Sequence, residues 1–134
     1  MSLSGADPNA RNIDAYRTIL SGDLNGDDEP NFFNYGENSC HVVTGSGTDA
    51  NDVLDGFTIT AGNGENGAGI YNENGNLTII NCTFSNNSAK SVGGGMYNLN
   101  SNPTLTNCIF VKNSGCARGG GGNRGGGFGS RDRY

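Results

Sequence analysis

A segment of about 26 residues repeats along the second half of the chain, and this repeat restricts the fold more than any other feature. The stretch "INCTFSNN" begins at Ile80, and the related stretch "TNCIFVKN" begins at Thr106. A glycine cluster follows each copy at the same distance and begins at Gly93 in the first copy and at Gly119 in the second. A fixed period of this length is typical of a solenoid in which each repeat forms one coil.

Apolar side chains occupy every second position inside each repeat, and a period of two indicates a β-strand, because a helix has a period of 3.6. Cys82 and Phe84 have this spacing, and Cys108 and Phe110 repeat it. Equivalent strands return in the same direction after a whole repeat, so they are expected to pair in parallel. The sequence therefore predicts an all-β fold, a parallel β-helix with about 25–26 residues per coil.

Parallel stacking predicts that equivalent residues lie about 4.8 Å apart and form ladders along the axis of the fold. The predicted ladders are Ile59, Phe84 and Phe110; Phe57, Cys82 and Cys108; Ile70 and Met96; Tyr71 and Tyr97; and Asn87 and Asn113. The Cα atoms of stacked Cys82 and Cys108 would lie within disulfide range. Parallel Cβ directions favour two buried free thiols, and both states stay open.

The composition agrees with a thin, repetitive fold. The 134 residues include 24 glycines and 21 asparagines, and 33% are hydrophobic, which is too little for a thick core. We expect one unit over residues 1–121, with irregular coils at 15–52 and regular repeats at 53–121. The polar segment 23–39, "DLNGDDEPNFFNYGENS", is too long for a tight turn and is expected to protrude.

The composition changes after Gly121, which predicts a separate Gly/Arg-rich tail over residues 122–134. The repeat requires a large apolar residue, a tyrosine and an asparagine next, whereas the chain has Gly122, Asn123 and Arg124. The third coil is therefore expected not to close. With almost no apolar side chains to bury, the tail is predicted to be disordered.

The charge is distributed unevenly between these two parts. Residues 1–116 carry 4 basic and 12 acidic side chains, a net charge of -8, whereas residues 117–134 carry 4 arginines and 1 aspartate, a net charge of +3. Nucleic acids and anionic membranes attract basic surfaces, so the acidic part is not expected to bind either. No apolar stretch approaches the roughly 18 residues of a membrane span.

The tail gives one alternative function, RNA binding. Arg118 and Arg124 each precede glycines, and Phe128 and Tyr134 are aromatic side chains suited to stacking on bases. Two such Arg-Gly-Gly units are a small number for an RNA-binding segment. The tail is interpreted instead as a low-complexity linker or a vector-derived segment.

A calcium site is the one metal site that the sequence suggests. Asp23, Asn25 and Asp27 alternate along the loop, which is the spacing that directs successive oxygens to one hard cation. The pattern departs from an EF-hand because Asp28 replaces the glycine of position 6 and Asn34 replaces the glutamate of position 12. The other interpretation is a solvated acidic turn.

A catalytic centre would require clustered carboxylates together with a base. His41 is the only histidine, and Asp49, Asp52 and Asp55 are close in sequence. Spaced carboxylates on a turn are more often merely solvated. No catalytic and no cofactor-binding residue is therefore predicted.

The repeat also carries a family resemblance. The pairing of Phe-x-x-Asn with a downstream glycine cluster, in "FSNN" with "GGGM" and in "FVKN" with "GGGG", resembles the repeats of chlamydial polymorphic membrane proteins. The stretches "VLDGFTITAGN" (53–63) and "LTIINCTFSNN" (77–87) resemble the right-handed parallel β-helix repeats of bacterial surface and secreted proteins.

The resemblance implies a right-handed β-helix in a secreted or cell-surface bacterial protein, with a structural or adhesive role and a glycan or host-surface ligand. Part of a carbohydrate-processing enzyme, a polysaccharide lyase or hydrolase, is the alternative because this fold serves both. Residues 1–9 lack the regions of a signal peptide. Uncapped ends predict an excerpt that contacts further coils of its parent protein or self-associates.

Overall fold

The computed structural model describes residues 10–115 and 123–124. This part of the chain is almost entirely strand and loop, as the sequence predicts. The strands are β1 Thr18–Ser21, β2 Val43–Thr44, β3 Val53–Asp55, β4 Phe57–Thr60, β5 Asn63–Asn66, β6 Ile70–Glu73, β7 Thr78–Ile80, β8 Thr83–Ser85, β9 Ser88–Val92, β10 Met96–Leu99, β11 Thr104–Thr106, β12 Ile109–Val111, β13 Ser114–Gly115 and β14 Asn123–Arg124. Two short 3-10 helices, Pro30–Phe32 and Tyr35–Glu37, lie between β1 and β2.

The strands pair in parallel and form four sheets. Sheet I contains β3, β7 and β11, and sheet II contains β1, β4, β8 and β12. Sheet III contains β5, β9 and β13, and sheet IV contains β2, β6, β10 and β14. From β3 onward the chain visits sheets I to IV in this order and then begins again. Each such passage is called a round below.

The strand registers confirm the repeat. Ile79 pairs with Leu54 of the preceding round and with Leu105 of the following round, so the step along the chain from round to round matches the predicted period. Tyr71 pairs with Tyr97 in sheet IV. Parallel strands need a long crossover between them, and here the strands of the other three sheets supply it. This arrangement is compatible with a β-helix.

The core is a narrow apolar column enclosed by the sheets. Ile59, Phe84 and Phe110 are fully buried or nearly so, and they occupy equivalent positions of β4, β8 and β12. The predicted inward ladder is therefore confirmed. The buried cluster comprises Ile59, Ile70, Leu77, Ile79, Cys82, Phe84, Met96, Cys108 and Phe110. Each round contributes only a few of these side chains, so the core depends on stacking between rounds.

Cys82 and Cys108 are free thiols inside this column. The Sγ atom of Cys82 lies 3.2 Å from the carbonyl oxygen of Ile80, and the Sγ atom of Cys108 lies 3.4 Å from that of Thr106. Burial raises the pKa of both thiols above its ordinary value. The structure therefore contains the free-thiol alternative of the two that the sequence left open.

Buried asparagines form two ladders at the corners of the fold. The side-chain nitrogen of Asn87 donates to Oδ1 of Asn113 at 2.9 Å, which confirms the predicted pair. In sheet IV the side-chain nitrogen of Asn72 donates to Oδ1 of Asn98 at 2.9 Å, a second pair that the sequence analysis did not identify. These bonds pair buried amides of successive rounds, which favours asparagine at these four positions. Oδ1 of Asn72 has no donor among the described residues.

The repeat continues one strand further than the sequence analysis predicts. The third coil was expected not to close after Gly121, yet the backbone of Asn123 and Arg124 pairs with Asn98 and Leu99 of β10. Backbone groups make these ladder bonds, so no particular side chain is required. The rest of the predicted tail, residues 122 and 125–134, and the Cys116 position lie outside the described residues.

Candidate functional site

An irregular acidic segment interrupts the fold at the corner between sheets II and III. The backbone nitrogen of Gly22 donates to the oxygen of Thr60, and the nitrogen of Asn63 donates to the oxygen of Ser39. Between β4 and β5 this corner is turned by two residues, Ala61 and Gly62. At the equivalent corner after β1 the chain contains residues 23–39, and this segment is called the acidic insertion.

The acidic insertion folds back on the corner instead of protruding, contrary to the sequence-based expectation. Tyr35 is 9% exposed, and its hydroxyl donates to the carbonyl oxygen of Asn86 at 2.9 Å. The side-chain nitrogen of Asn63 donates to the oxygen of Tyr35 at 2.7 Å, and that of Asn38 donates to the oxygen of Ala61 at 2.8 Å. Burial of a large aromatic ring is favourable in free energy relative to its exposure to water, and this accounts for the fold-back of the insertion.

The first turn of the insertion is organised by the carboxylate of Asp23. Its Oδ1 accepts hydrogen bonds from the backbone N–H groups of Gly26 at 2.6 Å and Asp27 at 3.3 Å. Its Oδ2 accepts from the N–H of Asp28 at 3.3 Å. Although burial acts to raise the pKa of Asp23, these backbone donors together hold it below its ordinary value. Asp23 is therefore an ionised carboxylate at neutral pH.

Four carboxylates converge at this turn, those of Asp23, Asp27, Asp28 and Glu37. One oxygen of each lies within 4.8 Å of the corresponding oxygens of the other three. Burial raises the pKa of Asp28, and the neighbouring charges of Asp23 and Asp27 add to the effect. Burial also raises the pKa of Tyr35 to about 12, with the charges of Asp28 and Asp23 contributing. The site therefore has a strongly negative local potential.

Three buried oxygens at this site have no hydrogen-bond donor within the described part of the chain. They are Oδ1 of Asp28, Oε1 of Glu37 and Oδ1 of Asn38. The nitrogen of the Asn38 amide donates to Oδ2 of Asp28 at 2.8 Å, so the Asn38 side chain contacts the cluster. A buried polar atom without a partner costs about 1–3 kcal/mol, so these atoms require an explanation.

The structure brings together only part of the residue set that the sequence suggested. Asp23 and Asp27 belong to the cluster, whereas the Asn25 side chain is exposed and Asn34 instead braces the loop by donating to the oxygen of Asp27 at 3.0 Å. Asp28 and Glu37 were not identified as ligands. Sequence spacing gave no signal for Glu37, because the fold-back of the insertion brings it to Asp23.

A groove of about 1020 Å³ lies between the acidic insertion and the corner of the stacked rounds. On the insertion side it is lined by Asp28, Glu29, Phe32 and Tyr35, among others. On the other side it is lined by Thr60, Ala61, Asn86 and residues 110–115. The lining residues therefore include aromatic, acidic and amide residues together with Lys112, and they belong to the insertion and to three successive rounds.

The acidic and basic residues considered for catalysis are held in separate structural contacts. Asp55 forms an ion pair with Arg11, and its Oδ1 accepts from Asn81 at 3.1 Å. Oδ2 of Asp52 accepts from the backbone N–H of Asp49 at 2.8 Å. Nδ1 of His41 lies 3.0 Å from the oxygen of Gly67, so the histidine does not join these carboxylates.

The His41 ring extends an aromatic ladder on the outer side of sheet IV. The Tyr71 and Tyr97 rings stack with centroids 5.5 Å apart, which confirms the predicted pair. The His41 ring lies 4.9 Å from that of Tyr71, an additional contact that the sequence analysis did not foresee. The ring faces contact one another, so this ladder is assigned a packing role.

No helix within the described ranges is long and apolar enough to cross a membrane. Comparison of the chain with known protein families, with curated proteins and with solved structures finds no match. Its function therefore has to be argued from its own residues.

Proposed function

We propose that this chain is a segment of a right-handed parallel β-helix from an exported bacterial cell-surface protein, with a structural and adhesive role. The repeated passage through four parallel sheets supports the structural part of the proposal, because such stacks are elongated and carry equivalent residues at regular intervals. The resemblance of the repeats to those of surface proteins supports the cellular setting.

The groove beside the acidic insertion is the observation that supports an adhesive role. Its lining residues include the aromatic Phe32 and Tyr35, the acidic Asp28 and the basic Lys112. Ligand sites commonly combine apolar and aromatic walls with a few polar groups that fix orientation. A glycan chain has apolar ring faces and many hydroxyl groups, so it matches both kinds of lining.

A binding experiment tests this proposal. The purified chain is screened against immobilised glycans, and the affinity for any retained glycan is measured by calorimetry. We expect Phe32→Ala to weaken binding about tenfold or more, because Phe32 lines the groove. Phe33→Ala is the matched control, since Phe33 belongs to the same loop, is exposed and does not line the groove.

Three outcomes would contradict the proposal. Equal losses with Phe32→Ala and Phe33→Ala would place the ligand elsewhere. Release of reducing ends or unsaturated uronates from a bound polysaccharide would instead favour the alternative, part of a carbohydrate-processing enzyme. Retention of no glycan at all, with binding to RNA by the full chain, would favour the alternative based on the tail.

A further inference from the structure

The acidic insertion has a charge that its own side chains do not balance. Asp23, Asp27, Asp28 and Glu37 place four carboxylates around one point. The only ion pair in the described part of the chain is that of Arg11 and Asp55, so no lysine or arginine there forms a pair with this cluster. Like charges at such short separations repel one another, and a bound cation would remove this repulsion.

We infer that the acidic insertion binds one calcium ion through the carboxylates of Asp23, Asp27, Asp28 and Glu37. This inference concerns the insertion alone and does not depend on the proposed adhesive role. The site differs from the one that the sequence suggested, because Asp28 and Glu37 take the place of Asn25 as side-chain ligands.

The separation of the oxygen atoms fits calcium. Calcium–oxygen distances of about 2.3–2.6 Å place two ligands on opposite sides of the ion roughly 4.8 Å apart. The four carboxylate oxygens lie within 4.8 Å of one another, so one ion can contact all of them. Magnesium requires distances of about 2.0–2.1 Å in a strict octahedron, which a folded-back loop satisfies less readily.

The unpaired buried oxygens are an independent indication of a ligand. Asn38 is 7% exposed, its amide nitrogen donates to Oδ2 of Asp28, and its Oδ1 has no donor among the described residues. Oδ1 of Asp28 and Oε1 of Glu37 are likewise buried and lack donors there. These three acceptor oxygens have no hydrogen-bond donor among the described residues. A hard cation can be the partner of several such oxygens at once.

Calcium binding would also hold the candidate groove in place. Asp23 begins the insertion and Glu37 lies near its end, so an ion shared by the two closes the loop at its base. Tyr35 lies next to this base and contacts Asn86, which follows β8. An ion bound here stabilises the native state by mass action, because the unfolded chain does not assemble the four ligands.

The test compares two variants that make the same chemical change. Glu37→Gln removes a proposed ligand, whereas Glu29→Gln removes the charge of an exposed glutamate of the same loop that is outside the cluster. Calcium binding to the full chain is measured by calorimetry after treatment with a chelator. We expect Glu37→Gln and Asp28→Asn to weaken calcium binding about tenfold or more, and Glu29→Gln to leave it almost unchanged.

Thermal melting in calcium and in chelator separates a lost ligand from a damaged fold. In chelator, Glu37→Gln and Asp28→Asn should melt at or above the wild-type temperature, because each removes one of four mutually repelling negative charges. In calcium the order should reverse, and both variants should melt below the wild type. A variant that merely damages the fold would melt lower in both conditions.

Three results would overturn the inference. One is an absence of heat and of any melting shift for the wild type up to millimolar calcium. Another is an equal melting shift with sodium chloride at the same ionic strength, which would indicate charge screening. The third is an equal loss of affinity with Glu29→Gln and Glu37→Gln. Phe32→Ala should leave calcium binding intact, so failure of the adhesive proposal would not affect this one.

Discussion

The rings of Phe84 and Phe110 lie one above the other, although the two residues belong to different rounds of the fold. Their centroids are 4.3 Å apart, and their planes differ by 1°. Phe84 also pairs with Phe110 in the strand register, so the stacked rings report the same repeat as the backbone. The stability of the fold is therefore concentrated in contacts between rounds.

Phe84→Ala should lower the free energy of unfolding by about 3–5 kcal/mol, because it removes a fully buried ring and leaves a cavity. Denaturation in urea, followed by far-ultraviolet circular dichroism, measures the change. Val111→Ala is the control, since Val111 is 38% exposed and lies in the next strand of the same sheet. Similar losses for both variants would contradict a core built from stacked rings.

Asn87→Ala should lower the free energy of unfolding by about 1–3 kcal/mol, because it leaves buried backbone groups without partners. The Asn87 side chain donates to the oxygen of Ile59 at 3.0 Å and accepts from the nitrogen of Gly62 at 3.0 Å. Asn102→Ala, at an exposed position, should have little effect. The same urea titration compares the two, and equal stability would show that the ladder contributes nothing.

Gly69→Ala should prevent folding or destabilise the chain severely. A Cβ atom at Gly69 would lie 2.2 Å from the carbonyl oxygen of Gly95, so the backbone of one round would have to shift. Gly36→Ala should be tolerated, because nothing lies within 4 Å of its added Cβ atom. Circular dichroism and melting of both variants check this, and a folded Gly69→Ala with normal melting would contradict the close packing of the rounds.

Thiol reagents should distinguish the cysteines of the described region. Cys40 is exposed, whereas Cys82 and Cys108 are buried and have a raised pKa. Because the thiolate is the reactive form, Cys40 should react first in the native protein and the two buried thiols only after unfolding. Mass spectrometry of labelled peptides measures the order. Rapid native labelling of Cys82 would contradict a closed column.

Because of the Arg11–Asp55 ion pair, the stability of the protein should vary with pH in the acid range. Arg11 and then Asn81, by hydrogen bonding, hold the pKa of Asp55 below its ordinary value of 3.8. The stabilisation is therefore present above that value and is lost as the pH falls through the lower folded pKa. Asp55→Asn should melt below the wild type at neutral pH, and the difference should shrink in acid. A constant difference in melting temperature across this pH range would contradict a stabilising role for the ionised Asp55.

The repeat by itself determined the parallel direction of the strands and the inward ladder of the core. Its period, together with apolar side chains at every second position, specifies that Ile59, Phe84 and Phe110 stack. This information is local and periodic, so the sequence displays it directly. The pairing of Asn123 and Arg124 was missed because the side-chain pattern ends before the backbone pairing does.

Only the tertiary structure decided the candidate site. Asp23 and Glu37 lie near opposite ends of a segment without periodicity, and no spacing rule brings them together. Burial of Tyr35 against the corner, with a hydrogen bond to the distant Asn86, folds the insertion back. Together with the hydrogen bonds of Asn63 to Tyr35 and of Asn38 to Ala61, this long-range contact brings a run of acidic residues into one cluster, because the position of each carboxylate depends on where the loop ends.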